Sequence, residues 1–227
     1  VELAQQRPGV ATDLLDRVKE RPPENVELAL FVSRGLCESG FASVAREVMV
    51  PLEPAARQNP SYWEVMILIA FGMKDEALLS RAAQQAFALS PTSWPAQNNY
   101  AAALAITESS PGEAVKETFQ LFSRFPKNPS IRINHGLALL QNHRYAEADQ
   151  VLALMDASTM NESERTVYSL ACFATLMAQK RFDLARRFQS AIDPAFLFPT
   201  QTNLLDRLRR ELAGVGTSET MRPSARP

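Results

Sequence analysis

Prolines recur along the chain at a nearly constant spacing, and this period limits the possible folds more than any other feature. Pro60, Pro91, Pro126 and Pro194 each close an amphipathic stretch, in the contexts QNP, LSP, RFP and IDP. The intervals between them are 31, 35 and 68 residues, and the last is twice 34. A period close to 34 residues is typical of a helix-turn-helix unit repeated in tandem.

The segments between these prolines are similar to one another. NYAAAL at 99–104 and NHGLAL at 134–139 lie 35 residues apart and share Asn, a small residue, Ala and Leu in matching places. Three later segments, AVKETFQLFSRFP, AEADQVLALMD and LARRFQSAIDP, each start near an alanine and place apolar residues on one helical face. This apolar period indicates helices rather than strands, so the sequence predicts an all-α chain.

Twelve helices are expected, with proline marking one internal break. Pro51 and Pro54 should kink or break the helix that contains them, because proline removes a backbone donor. The last segment, GVGTSETMRPSARP at 214–227, lacks apolar periodicity and is expected to be disordered. The helices are predicted at about 10–20, 25–39, 42–58, 62–73, 75–89, 95–107, 111–125, 130–142, 145–156, 162–179, 182–191 and 200–213.

Capping chemistry marks several predicted helix starts. SYWE at 61–64, SPGE at 110–113 and NESE at 161–164 each begin with Ser or Asn and end with Glu, as in a capping box. The middle segment also has proline at the first helical position. Asn161 begins a short glycosylation sequence as well, and we favour the cap because no secretory signal is visible.

The composition is typical of a soluble globular protein. Of its 227 residues, 46% are hydrophobic and 22% charged, and the net charge is -1, so nothing draws the chain to nucleic acid. The longest apolar run, VMILIAF at 65–71, is too short to span a bilayer. The chain begins at Val1 without Met or a signal-like segment, so we expect a processed or truncated piece whose compartment is unknown.

Reactive chemistry is scarce. Cys37 and Cys172 lie far apart in apolar contexts, where two small buried hydrophobes are favoured over a disulfide or metal site. The two histidines, His135 and His143, are eight residues apart and cannot form the i, i+4 pair that chelates metal on a helix. GVGTS at 214–218 lacks the lysine of a phosphate-binding loop. We therefore predict no catalytic residues, no metal and no cofactor.

The segment PKNPSIRINHGLALLQNHRYAEADQVLALMD at 126–156 resembles a unit of the tetratricopeptide repeat (TPR) family. Gly136 falls where that family keeps a small residue, so that the first helix can approach its neighbour closely. Other positions match the family's aromatic, alanine, large apolar residue and proline, here and one repeat earlier: Tyr145, Ala148 and Leu139, then Ala101, Leu104, Ala114 and Pro126. By this comparison His135 takes the packing position of Tyr100, and His143 lies in the hairpin turn.

The resemblance covers about 25–194 and is strongest over 91–156. The turn GMKDEA at 72–77 is shifted relative to the pattern, and the spacing of the unit from 160 to 194 slips by two or three residues. The resemblance implies an α-solenoid of stacked helix-turn-helix repeats forming a right-handed superhelix. It implies a single domain over 1–213 with about five hairpins.

The face of LLDRLRREL at 204–212 carries four leucines, so this helix is interpreted as a cap for the solenoid, with a partner-binding helix as the alternative. Trp63 and Trp94 begin first helices 31 residues apart and are interpreted as packing residues rather than a ligand cage.

In the TPR family the first helix of each hairpin lines a concave groove. Only Lys74 and Asn98 fit the subclass that clamps a peptide carboxylate, so the resemblance implies instead an apolar segment or an amphipathic helix as ligand. The implied lining is Glu64, Ile67, Phe71, Lys74, Asn98, Ala102, Ala105, Ile133, Leu137, Leu140 and Gln141.

The function expected from this resemblance is a non-enzymatic protein-protein interaction module, such as an adaptor, assembly factor or chaperone-like scaffold. Two alternatives stay open at this point. The chain is then a regulatory or docking segment of a larger enzyme or membrane-tethered protein, or it is a self-association module that forms a homodimer.

Overall fold

The computed structural model describes Asp16, Glu20 and residues 25–153 and 155–220, with side chains to 215. Over these residues the chain consists of α-helices and short 3-10 turns, without a β-strand, so the all-α prediction is confirmed there. Most of the predicted helix at 10–20 lies outside the described residues. The helices are α1 Val26–Glu38, α2 Ala42–Met49, α3 Glu53–Ala56, α4 Pro60–Met73, α5 Glu76–Leu89, α6 Trp94–Thr107, α7 Pro111–Arg124, α8 Pro129–Gln141, α9 Tyr145–Leu152, α10 Glu162–Ala178, α11 Phe182–Gln189 and α12 Pro199–Thr220.

Two predicted features at proline and glycine positions have different outcomes. The break at Pro51 and Pro54 is confirmed, because a 3-10 turn at Val50–Leu52 separates α2 from α3. Disorder from residue 214 onward is wrong for 214–220, which continue α12. Proline would stop a helix there, but none occurs before Pro223, and glycine only weakens a helix by about 1 kcal/mol each. The rest of the predicted tail lies outside the described residues.

The chain divides into two compact units, Val1–Ala103 and Leu104–Pro227, and the boundary falls inside α6. In the first unit, α1 packs against α2 and α4, and α4 packs against α2 and α5. In the second, α8 packs against α7, α9 and α10, and α10 packs against α11 and α12. Each unit is therefore built from helices that contact their neighbours along the chain, and the single domain over 1–213 stays a prediction.

One backbone feature recurs in every helical hairpin of residues 25–153 and 155–220. Gly40, Lys74, Glu108, His143 and Lys180 have positive φ angles of 85°, 56°, 52°, 58° and 60°. Each lies in the turn between two helices, at intervals of 34, 34, 35 and 37 residues. The five turns agree with the predicted hairpin number. The first turn with a side chain is in register, so the expected shift of GMKDEA is wrong, while the slip in the last unit is confirmed.

A second recurrent feature marks the start of each hairpin. The side chains of Asn25, Asn59, Asn128 and Asn161 accept hydrogen bonds from backbone amides at the starts of α1, α4, α8 and α10. The Ser93 hydroxyl, 3.5 Å from an amide in the first turn of α6, holds the equivalent place. These five residues are 33 to 35 positions apart, so caps and turns share the period of the prolines.

The predicted capping segments have mixed outcomes. The capping box at NESE is present, with the Glu164 amide 2.9 Å from Asn161 Oδ1 and the Asn161 amide 3.3 Å from Glu164 Oε2. Ser61 is not a cap, because α4 begins one residue earlier, at Pro60, which suits the first helical position. Ser110 stands at the N-cap of α7, but its side chain makes no cap hydrogen bond.

Stacked rings occupy equivalent positions in the two units. Phe87 stacks on Tyr100 with ring centroids 5.0 Å apart and planes at 9°. Phe122 stacks on His135, 35 residues later in both members, at 5.1 Å and 24°. His135 is 4% exposed, so the prediction that it is a packing residue equivalent to Tyr100 is confirmed.

The predicted role of Gly136 follows from its surroundings on α8. A Cβ atom at this position would lie 2.8 Å from Leu152 Cδ2 and 2.9 Å from its Cγ. These distances are shorter than van der Waals contact, so only glycine allows α9 to approach α8 this closely. The close approach expected at Gly136 is present.

The tryptophans have different environments. Trp63 is buried, and its indole N–H donates to the Arg57 carbonyl at 2.9 Å. Trp94 is 45% exposed at the start of α6. The packing interpretation therefore holds for Trp63 and is wrong for Trp94, since a residue at the first helical position extends beyond the packed face.

Candidate functional site

A surface cleft of about 510 Å³ opens in the second unit. Its walls are the C-terminal ends of α8 and α10, the starts of α7 and α9, and the middle of α12. Turn residues Glu108 and His143 complete the lining. The cleft is therefore built from hairpin ends and from the helix that was predicted to be a cap.

The floor of the cleft is apolar. Ala174, Met177 and Leu208 belong to a buried cluster of α10, α11 and α12, and Leu140 and Leu204 are partly buried against it. The leucines of α12 at positions 205, 208 and 212 pack in the same cluster, as the capping interpretation requires. An apolar group that entered the cleft would remove the exposed parts of Leu140 and Leu204 from water.

The rim of the cleft is charged. Glu108, Arg207 and Glu211 are exposed, and within residues 25–153 and 155–215 none of them has an ion-pair partner. Arg207 and Glu211 are four residues apart and share one side of α12. These side chains are available to charged groups outside the chain.

One side of the cleft is formed by the turn between α8 and α9. His143 Nδ1 lies 2.6 Å from the Tyr145 hydroxyl, and their rings meet edge to face at 72°. The Tyr145 carbonyl accepts from Gln179 Nε2 at 3.1 Å, which ties the turn to the end of α10. His143 is thus the turn residue that was predicted.

Gln141 connects the end of α8 to the end of α6. Its Nε2 donates to the carbonyl of Ala105, and its Oε1 is buried with no donor among the described residues. Because the nitrogen is committed to a carbonyl, the remaining side-chain oxygen is an acceptor. The cleft therefore has an unpaired acceptor beneath its edge.

The predicted groove residues of the second unit separate into two sets. Leu140 and Gln141 line the cleft. Ala105, Ile133 and Leu137 are 2%, 3% and 3% exposed and belong to a core cluster with residues of α9 and α10. Their assignment to a groove lining is corrected to core packing, because α10 covers the face of α8 on which the latter two lie.

The predicted groove residues of the first unit are also mixed. Ile67 and Ala102 are buried. Glu64 is partly exposed and lies 3.6 Å from Arg34. Lys74 is in a hairpin turn rather than on a first helix, and burial lowers its pKa. Two more are partly exposed: Phe71 and Asn98.

The prediction missed most of the cleft. Glu108 lies in a turn, outside the first-helix positions that were assigned to the groove. Arg207 and Glu211 lie on α12, which was interpreted as a cap. A detectable signal was present, because Leu204, Arg207, Leu208 and Glu211 follow a helical i, i+3, i+4, i+7 spacing that places charges beside leucines.

Groups that could support catalysis are unsuited to it near neutral pH. Burial, with a smaller effect of Arg144, lowers the pKa of His135 to about 4. Burial raises the pKa of the Cys172 thiol to about 12, and both cysteines are free. Over the part of the chain that the structure describes, no three His, Cys, Asp or Glu residues cluster as metal ligands would.

No protein-family model matches the chain, and neither a curated protein nor a solved structure does. Among the described residues no helix combines the length and the hydropathy needed to cross a membrane. The function must therefore be argued from the cleft and from the repeated hairpins.

Proposed function

We propose that the chain is a helical-repeat solenoid of the TPR type that binds a segment of another protein in the cleft of its second unit. The observation that carries this proposal is the floor, where Leu140 and Leu204 remain partly exposed over a buried apolar cluster. The 510 Å³ volume lies within the range of about 300–1,000 Å³ that is usual for ligand pockets.

Three recurrent features support the solenoid. Positive-φ turns and N-terminal caps both recur every 33 to 37 residues, and the stacked ring pairs are 35 residues apart. Repeats of this kind bury their apolar faces on their neighbours and leave a last helix to close the stack. We assign that closing role to α12, whose exposed edge then becomes one wall of the binding site.

We propose that the role is binding rather than catalysis. Near neutral pH the buried histidine is uncharged and the buried thiol is protonated, so neither offers an activated base or nucleophile. The alternative of a regulatory or docking segment of a larger enzyme places the same cleft in a longer protein, and the cleft would have the same ligand chemistry there.

A selection from a random 12-residue peptide library displayed on phage tests the proposal. Peptides enriched on the protein should lose affinity at least tenfold on a Leu204→Glu variant, because the charge would enter the apolar floor. Leu28→Glu, on an exposed face of α1, is the matched control and should keep the affinity. Circular dichroism must show that both variants fold. If no peptide is enriched, or if Leu204→Glu binds as well as the original chain, the proposal is wrong.

Self-association is a second candidate, favoured by one observation. Phe31 is 79% exposed and Leu28 53% exposed, three residues apart on the same side of α1. A second copy could cover this face. Sedimentation velocity over a hundredfold concentration range should then show a dimer that Phe31→Ser abolishes, and a monomer at every concentration would exclude the candidate.

A further inference from the structure

We infer that the segment bound in the cleft combines an apolar anchor with a basic side chain, so that its Lys or Arg contacts Glu108 and Glu211 while the anchor covers Leu140 and Leu204. This inference rests on the proposed binding function and specifies the chemistry of the partner. An acidic segment or a terminal carboxylate is the chemistry that the rim disfavours.

The charges of the cleft have an excess of acceptors. Two carboxylates, Glu108 and Glu211, face one guanidinium, Arg207, and none of the three is ion-paired within the described residues that have placed side chains. Electrostatic complementarity therefore favours a ligand with at least one positive charge, which supplies donors to the two carboxylates.

The nearby ion pair does not cancel this excess. Arg144 and Glu147 follow the turn residue His143 and pair with each other at 2.6 Å. Their charges are already compensated, so they add little to the field in the cleft. The uncharged polar atoms agree, since the buried Oε1 of Gln141 is a further acceptor without a donor.

The apolar and charged parts of the lining are close enough for a short segment to reach both. Leu204, Arg207, Leu208 and Glu211 lie within about two turns of α12, a rise of about 10 Å. A ligand helix with an apolar residue and a Lys or Arg three or four positions away matches this length.

The peptides enriched in the library selection provide the probes. One enriched peptide is synthesised with a fluorophore in three versions: the parent, a version with Lys and Arg replaced by Gln, and a version with them replaced by Glu. Fluorescence anisotropy gives the affinity of each at low and at high salt. The protein is used as the full chain, as a Glu108→Gln/Glu211→Gln variant, and as a control variant, Asp206→Asn/Glu162→Gln, that removes two exposed carboxylates outside the cleft.

The parent should bind about fivefold more tightly than the Gln version, because an exposed ion pair contributes roughly 0.2–1 kcal/mol and two are available. The Glu108→Gln/Glu211→Gln variant should lose that preference and keep the affinity for the Gln version. High salt should reduce the difference, and the control variant should behave as the original chain does.

Three results would overturn the inference. The selection could enrich acidic peptides, the double variant could leave the affinity of the parent unchanged, or the Glu version could bind as tightly as the parent. If binding is insensitive to these charges but lost in Leu204→Glu, the binding function stands and only the basic partner is wrong. If binding persists in Leu204→Glu, both proposals fail.

Discussion

The Nδ1 atom of His135 lies 3.0 Å from the Oγ1 atom of Thr118, in the interior of the contact between α7 and α8. The Thr118 hydroxyl donates its proton to the Ala114 carbonyl at 2.6 Å, so it accepts at its oxygen from the imidazole. The ring is therefore neutral with its proton on Nδ1. Phe122 stacks on one face of this ring.

The neutral state of His135 makes stability depend on pH. Its folded-state pKa is about 4, against 6.5 for an unperturbed histidine. Between these values the unfolded chain binds a proton that the folded chain does not, so the free energy of unfolding falls as the pH drops from about 6.5 to about 4. The expected loss from this residue is about 3 kcal/mol. Urea unfolding at pH 7, 5.5 and 4 measures it.

Other groups also titrate in this range, so the test is a difference between variants. His135→Tyr, which places here the residue that stands at the equivalent position 100, should lose this part of the pH dependence. His143→Asn changes the exposed histidine at a turn where Asn tolerates positive φ, and it should keep the dependence. Equal pH profiles for His135→Tyr and the original chain would show that His135 is not responsible.

Gly136→Ala should destabilise the second unit by about 1–3 kcal/mol, because the new methyl group would overlap Leu152. Gly35→Ala on α1 is the matched control: nothing lies within 4 Å of its Cβ position, and alanine should stabilise the helix by about 0.5–1 kcal/mol. Urea unfolding followed by far-ultraviolet circular dichroism measures both. If Gly136→Ala is neutral or stabilising, α9 does not approach α8 closely.

The positive-φ turns predict opposite effects of glycine gained and glycine lost. Lys180→Gly should raise the free energy of unfolding by about 0.5 kcal/mol, and Gly40→Ala should lower it by about 1 kcal/mol, because residues with a Cβ are strained at these angles. Lys180→Ala keeps the strain and serves as the control. Thermal unfolding resolves these differences, and a destabilised Lys180→Gly would contradict the assigned turn geometry.

Two caps that look alike in the sequence should respond differently to alanine. Asn59→Ala removes an acceptor for the Ser61 amide, 3.0 Å away, and should lower the free energy of unfolding by about 1 kcal/mol. Ser110→Ala removes no cap hydrogen bond and should have an effect within about 0.5 kcal/mol. Similar losses in the two variants would show that Ser110 caps α7 in solution.

The hairpins were predictable because their information is local. The proline period, the alanines of the second helices and the asparagine at 161 each act within a few residues, and helix boundaries from 25 to 213 agree to within about four residues for most helices. The tail was mispredicted for the same reason: its two glycines weaken a helix without stopping it, and the apolar anchor Leu212 lies just before them.

The cleft was less predictable because it depends on how three helices meet. Leu140 and Gln141 were identified from the repeat register, but the register alone did not show that α10 covers Ile133 and Leu137. The contribution of α12 arises from residues more than 60 positions away from α8, and no local pattern contains that distance.

The distribution of indole side chains gives each unit its own optical readout. Both tryptophans, Trp63 and Trp94, precede the boundary at Ala103, and residues 104–227 contain none. Tryptophan emission would consequently follow only the first unit during unfolding, whereas the helical circular dichroism signal would follow both. A single unlabelled sample, monitored by both methods across one denaturant series, would therefore reveal whether the two units lose their structure together or in sequence.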